Sequence, residues 1–159
     1  MIKLLDVDYR LIHGQVLLGW VKGNKIEYLI VADDELVSNS MMLSLMKMGV
    51  PAGIKSVFVS TENLGNIVED PDIEKMNTML LCKDIETALK IVEALPIGYV
   101  NFSNIKSKEG STKYSICCYL TEEEKDLVMK IVDKGITVDA FSVPNDSKGI
   151  RLSKVIKGG

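Results

Sequence analysis

Short apolar segments rich in β-branched and aromatic residues recur along the whole chain, and this recurrence limits the folds open to it. They read IKLL near the start, then YLIVA at 28–32, KSVFVS, TMLLC, GYVNF, YSICCYL and ITVDAFSV, which makes seven candidate strands. Between most of them lie stretches whose apolar residues fall three and four apart, the spacing that gathers side chains on one helix face. Val16, Leu17, Trp20 and Val21 form one such face, Met42, Leu45, Met46 and Gly49 a second, Ile85, Ala88, Leu89 and Val92 a third, and Leu127, Val128 and Ile131 a fourth. Thr121 followed by Glu124 predicts a capping box for the fourth helix, and Gly135 stands where a left-handed C-terminal cap is wanted. A shorter helix is expected around ENLGNIVED, interrupted by Gly65 and ended by Pro71. Strands alternating with helices of about ten to fifteen residues need right-handed crossovers and a sheet covered on both faces. The expected fold is therefore α/β: a three-layer α/β/α sandwich with an open, mainly parallel sheet of about seven strands. Without repeats, low-complexity tracts or linkers, residues 1–159 read as one domain.

Composition removes several function classes. Hydrophobic residues make up 47% and charged residues 26% of 159, as in soluble globular domains that bury one core without staples. Nineteen basic against twenty-two acidic residues give a net charge of −3, and no Lys/Arg block is present to neutralise a phosphate backbone. Nucleic acid is not an expected partner. The apolar runs fall far short of the ~20 residues a membrane span needs. With no signal-peptide pattern at the start, a cytoplasmic location is expected, with docking on a membrane protein left open. Cys82, Cys117 and Cys118 are odd in number and include no CxxC pair, which fits a reducing compartment. Cys117 and Cys118 fall in an apolar strand pattern, where a buried thiol is inert. One histidine and no paired cysteines give no basis for a metal site, and no cofactor is expected. The methionine-rich stretch MMLSLMKM could form an adaptable partner groove, but at helical spacing it reads first as core filling.

In an open parallel sheet, sites gather at the carboxyl ends of the strands. On that rim the sequence places the segment from Asp6 to His13, then Asp33, Asp34 and Asn39, Ser60 and Thr61, Lys83 and Asp84, Ser103 and Asn104, and Pro144 to Lys148. The first contains VDYRLIHGQV with the only histidine, immediately before a helix. The free N–H groups of a helix N-terminus favour an anion there. A neutral imidazole is a competent nucleophile towards phosphorus, and Arg10 could hold phosphate oxygens in a bidentate fork. Asp8 is placed to hold Arg10 or to orient one imidazole nitrogen, and Gly14 allows a phosphate to approach the backbone. On residues alone, a histidine that merely caps a helix stays an equal alternative. Histidine phosphatase chemistry wants consecutive Arg-His-Gly and a second histidine; RLIHG offers neither, so the lone histidine points to relay over hydrolysis.

The stretch Asp8, Arg10, Leu11, Ile12, His13, Gly14, Gln15 and Val16 resembles that of the enzyme IIB subunits of the mannose/fructose/sorbose class of the bacterial sugar phosphotransferase system. The similarity continues through IVADDELVSNS, GVPAGIKSVFVS, KEG at 108–110 and VPNDSK at 143–148. The resemblance implies a cytoplasmic phosphocarrier that takes a phosphoryl group on His13 from a phosphohistidine of enzyme IIA. The group then passes to a hexose-type sugar carried by the membrane subunits IIC and IID. Arg10 would stabilise the phosphoryl group, with Asp8, Gly14, Gln15 and, from the last rim loop, Lys148 and Asp146 in support. A homodimer is one assembly the resemblance leaves open, and a non-catalytic, anion-binding module of the same fold is the alternative. Where the family commonly carries a Val-Gly-Gly-Met stretch, this chain reads FSNI, so Ser103 and Asn104 replace two glycines.

Overall fold

The computed structural model describes residues 1–158, apart from the side chains of residues 15 and 16. Six parallel strands form one open sheet: β1 (Ile2–Asp8), β2 (Tyr28–Ala32), β3 (Lys55–Val59), β4 (Thr78–Cys82), β5 (Tyr99–Asn104) and β8 (Thr137–Asp139), in the order β3-β2-β4-β1-β5-β8. Helices α1 (Gly14–Gly23), α2 (Asp34–Ser38) and α3 (Ser40–Met48) belong to one face. On the other lie α4 (Leu64–Val68), α5 (Pro71–Lys75), α6 (Ile85–Ala94), α7 (Glu122–Asp133) and α8 (Leu152–Gly158). The period of two along each strand divides the core. Leu29 and Val31 of β2 with Met79 and Leu81 of β4 pack towards Leu17, Trp20 and Leu36. Ile30, Ala32, Leu80 and Cys82 pack towards Ile85, Ile91, Val128 and Leu152. Strands buried on both faces read as unbroken apolar runs, which is why YLIVA and TMLLC stand out.

The expected three-layer sandwich is the observed one, with six strands in the main sheet. The sixth candidate, YSICCYL, is a different object: β6 (Thr112–Ser115) and β7 (Cys118–Leu120) pair antiparallel as a separate hairpin. The segment turns at Ile116 and Cys117, and the amide of Ile105 reaches the Cys117 carbonyl at 2.8 Å, tying the hairpin to the end of β5. Strand β1 also runs three residues further than the sequence indicates, so Asp6 and Asp8 belong to the strand and not to the loop.

The fourth helical stripe forms as expected. In α7 the Glu124 amide donates to Thr121 Oγ1 at 3.1 Å, while Glu124 Oε1 accepts the Thr121 amide at 3.0 Å. Gly135 follows with φ +83°, the left-handed region glycine enters without a Cβ penalty. Gly65 lies inside α4 rather than breaking it, and Pro71 opens α5 behind the Asp70 cap. The methionine stripe is corrected outright. None of the residues of α3 is buried: Met41, Met42, Leu45 and Met48 face solvent, and Leu43 and Met46 alone lean on the core. Core filling requires a second layer above the stripe, and no element of the described chain covers α3.

Candidate phosphoryl site

Strand β1 lies between β4 and β5, so its carboxyl end opens near the middle of the sheet edge. On the α1 face its period of two places Leu4, Asp6 and Asp8 in line, and both carboxylates are buried. Asp8 is the last strand residue. Its Oδ1 accepts the Arg10 backbone amide at 3.0 Å and Arg10 Nε at 3.1 Å, and its Oδ2 accepts Arg10 Nη2 at 3.0 Å. This fork fixes the guanidinium, which is about one-third exposed, and the hydrogen bonds from Arg10 to Asp8 raise its already high pKa further. The Tyr9 amide holds the loop to the Asn104 carbonyl at 3.3 Å.

The chain then reverses through Leu11, whose φ of +57° is a left-handed conformation that costs a non-glycine residue about 1–2 kcal/mol. The turn is closed by the Leu11 amide on the Asp8 carbonyl at 2.9 Å. It is anchored by Leu11 and Ile12 buried among Leu17, Trp20 and Leu36. The Leu11 carbonyl lies 3.1 Å from His13 Nδ1. His13 Nε2 is buried without a hydrogen-bond partner, 3.6 Å from Asp8 Oδ2. One carboxylate therefore faces both the arginine and the imidazole, as the sequence suggests for Asp8.

Three of the rim polar residues, Asp33, Asn39 and Asp84, turn out to be helix caps, as are Asp70 and Thr121 elsewhere in the chain; each accepts a first-turn amide of the helix it precedes. His13 occupies the N-cap position of α1, yet its side chain makes no capping hydrogen bond, and the first turn carries no acidic residue. The alternative of a histidine capping its helix thus finds no bond to rest on. A Cβ built on Gly14, whose φ is +34°, would meet nothing within 4 Å, so the space over the helix start is open. Gln15's supporting role and Val16's place in the first stripe lie outside the described side chains.

Asp146 is not brought to this cluster: it shapes its own turn, accepting the Ser142 amide at 3.0 Å and the Lys148 amide at 2.9 Å. The exposed Lys148 side chain forms no ion pair among the described residues. Ser103 corrects the expectation of a rim position. It is buried within β5, donating from Oγ to Asp6 Oδ1 at 2.7 Å, with Oδ2 at 2.9 Å. Asn101 donates to the same Oδ1 at 2.9 Å and holds the backbone of Phe141 at both its amide and its carbonyl. Burial pushes the Asp6 carboxyl up to about 7 against the lowering effect of those hydrogen bonds, with Asp8 adding repulsion. The sequence signal for this network was the alternation Asp6, Asp8 inside an apolar run. The thiols fit their expected inertness: all three are buried, and burial raises each of them.

Beside the loop opens a cleft of about 230 Å³ walled by Tyr9, Arg10 and Leu11 on one side and by Met42 and Met46 of α3 on the other. Lys83 also lines it, 3.2 Å from Asp33 and 2.9 Å from Glu35. No group of side chains with metal-ligand character occurs among the described residues.

The family model of the PTS system sorbose subfamily IIB component matches residues 2–157. The chain belongs to this IIB family. It is 26% identical over 147 residues to the PTS system fructose-specific EIIB component of Bacillus subtilis, covering 92% of this chain and 90% of that one. It is equally 26% identical to the mannose-specific EIIAB component of Escherichia coli over 93% of its own length, but it spans only 46% of that relative. Among solved structures, the IIBSor domain of the sorbose permease from Klebsiella pneumoniae matches with a TM-score of 0.89 over 99% of this chain and 97% of the other. At 21% identity that likeness bears on the fold alone. A place in a sugar-specific phosphotransferase system follows from the family, and no helix of the described residues is long and apolar enough to cross a membrane.

Proposed function

We propose that this chain is a cytoplasmic phosphocarrier, one domain over residues 1–159, that accepts a phosphoryl group on His13 from the phosphohistidine of a IIA component. It passes the group to a hexose-type sugar during uptake by membrane subunits IIC and IID. The observation that carries the proposal is the meeting of an uncapped helix N-terminus, a fixed guanidinium and an imidazole around one buried carboxylate.

His13 Nε2 is sealed from solvent, so the nitrogen offered to an incoming phosphorus is Nδ1. The attacking tautomer carries its proton on Nε2, facing Asp8, which also relieves an otherwise unpartnered buried atom. The Nδ1 lone pair forms the N–P bond as the donor's N–P bond breaks in line, and the departing imidazole keeps that electron pair. Contact with the Leu11 carbonyl is given up in this step. Arg10 and the first-turn amides of α1 take charge on the equatorial oxygens, so catalysis is positioning plus electrostatics with no metal of the protein's own. In the second step a sugar hydroxyl oxygen attacks the phosphorus, the Nδ1–P bond breaks with its electron pair returning to Nδ1, and the hydroxyl proton passes to water. The sugar's identity lies with the membrane subunits.

The test is to phosphorylate the protein through the upstream cascade and follow the label, since phosphohistidine is lost in acid and kept in alkali. His13→Ala should take up none. Label that survives acid, or uptake by the variant, would overturn the proposal. Saturable anion binding without a covalent mass increase would leave the non-catalytic, anion-binding module.

A further inference from the structure

Helix α3 carries four exposed large hydrophobic side chains, Met41, Met42, Leu45 and Met48, and has no buried residue. Met41 is 75% exposed, Leu45 57% and Met48 82%, and their spacing of four and three residues aligns them on one face. Met42, 42% exposed, stands at the edge of that face and also lines the cleft against Arg10. The exposed face of α3 thus adjoins, through Met42, the cleft that Arg10 and Leu11 wall on the side of the His13 loop. Contiguous exposed patches of this kind mark interaction surfaces.

We propose that α3 is the docking helix for the soluble, phosphohistidine-bearing IIA component, an inference that rests on His13 being the phosphoryl acceptor. Two arguments select this occupant. A protein that brings phosphorus to His13 must engage Arg10, which is bound to the same carboxylate, and Arg10 walls a cleft of only 230 Å³ whose other lining includes Met42 and Met46, so an interface covering roughly the typical 800 Å² of one side extends onto α3. The charge of the helix then discriminates between the two partners of that histidine. Cytoplasmic loops of membrane proteins are enriched in Lys and Arg and call for carboxylates opposite them. Helix α3, SMMLSLMKM, carries no carboxylate and one lysine, Lys47. A soluble partner with an apolar contact patch satisfies it, and flexible thioethers adapt to such a patch without a fixed counter-shape.

The triple variant Met41→Glu/Leu45→Glu/Met48→Glu changes only solvent-facing side chains that do not line the cleft. Phosphoramidate, a small donor that needs no docking surface, should label His13 in the variant at a rate within twofold of the unaltered protein. Transfer from the phosphorylated IIA of the same genome should fall at least tenfold in kcat/KM, mainly through KM. Discharge to sugar in vesicles holding IIC and IID should be unchanged. In the unaltered protein with 13C-labelled methionine methyl groups, added IIA should shift the Met41 and Met48 signals, a measurement independent of the variant's folding. Undiminished IIA transfer, or unmoved methyl signals, overturns the proposal. Loss confined to the vesicle step assigns the face to the membrane subunits, and a change in oligomeric state assigns it to a second copy; both overturn it. If phosphoramidate fails to label His13 in the unaltered protein, the carrier function itself has failed and the docking surface falls with it.

Discussion

Asp8 is the residue on which the site turns, because one buried carboxylate holds Arg10 by two side-chain bonds and faces His13 Nε2 at 3.6 Å. A lysine at position 10 keeps the charge but not the planar fork. Arg10→Lys is therefore expected to lower the phosphorylation rate of His13 by about tenfold to a hundredfold, for a loss of about 1.4–2.7 kcal/mol of transition-state stabilisation. Rapid-quench measurement with saturating donor checks this, with Arg10→Ala losing more. Asp6 supports a pH prediction. Its folded pKa of about 7 lies above the usual carboxylate value of 3.8, so the folded state binds the proton more tightly than the unfolded chain. Stability is accordingly greatest below about pH 4 as far as this group is concerned, falls as pH rises towards 7, and is lowest once Asp6 ionises in place. Asp6→Asn keeps a neutral group between Ser103 and Asn101. The difference in urea midpoint between it and the unaltered protein should widen in the variant's favour from pH 5 to pH 8. Both Asp6 and Asp8 were visible in the sequence; that Asp6 meets Ser103 across 97 positions was not.

At the scale of elements, local chemistry was legible wherever a signal acts within a few residues. The capping box of α7 was such a case, and Thr121→Ala should cost about 1 kcal/mol, read as a shift in denaturant midpoint without a change of slope. Elements whose identity depends on distant partners were misjudged. YSICCYL has strand composition, but it folds back on itself as β6 and β7 and meets the main sheet only where Cys118 bridges Ile105 at the end of β5. The stripe on α3 has the period of a core helix, and periodicity alone does not say whether anything lies opposite. Helix α2, five residues held by the Asp33 cap, is too short for a periodic signal.

For the whole molecule, stability resides in the two cores on either side of β2, β4 and β1. Leu80 of β4 is fully buried in the larger one, among side chains of β1, α6 and α7. Leu80→Ala should destabilise the fold by about 2–5 kcal/mol, measured by equilibrium unfolding, with the site loop otherwise intact. The alternation of apolar runs with helical stripes determined by itself the α/β class, the parallel sheet and the rim on which a site must lie, because crossover handedness and two-sided burial leave few other arrangements. The residues around His13 also pointed to phosphate chemistry, since Asp8, Arg10 and His13 are neighbours in the chain. Tertiary structure alone decided that Ser103 and Asn101 close on Asp6, that Asp8 serves both of its neighbours, and that the methionine face of α3 stays in water. These outcomes depend on which strands lie side by side and on which helix faces find a partner. Side chains far apart in sequence settle those matters together, and no local pattern records them.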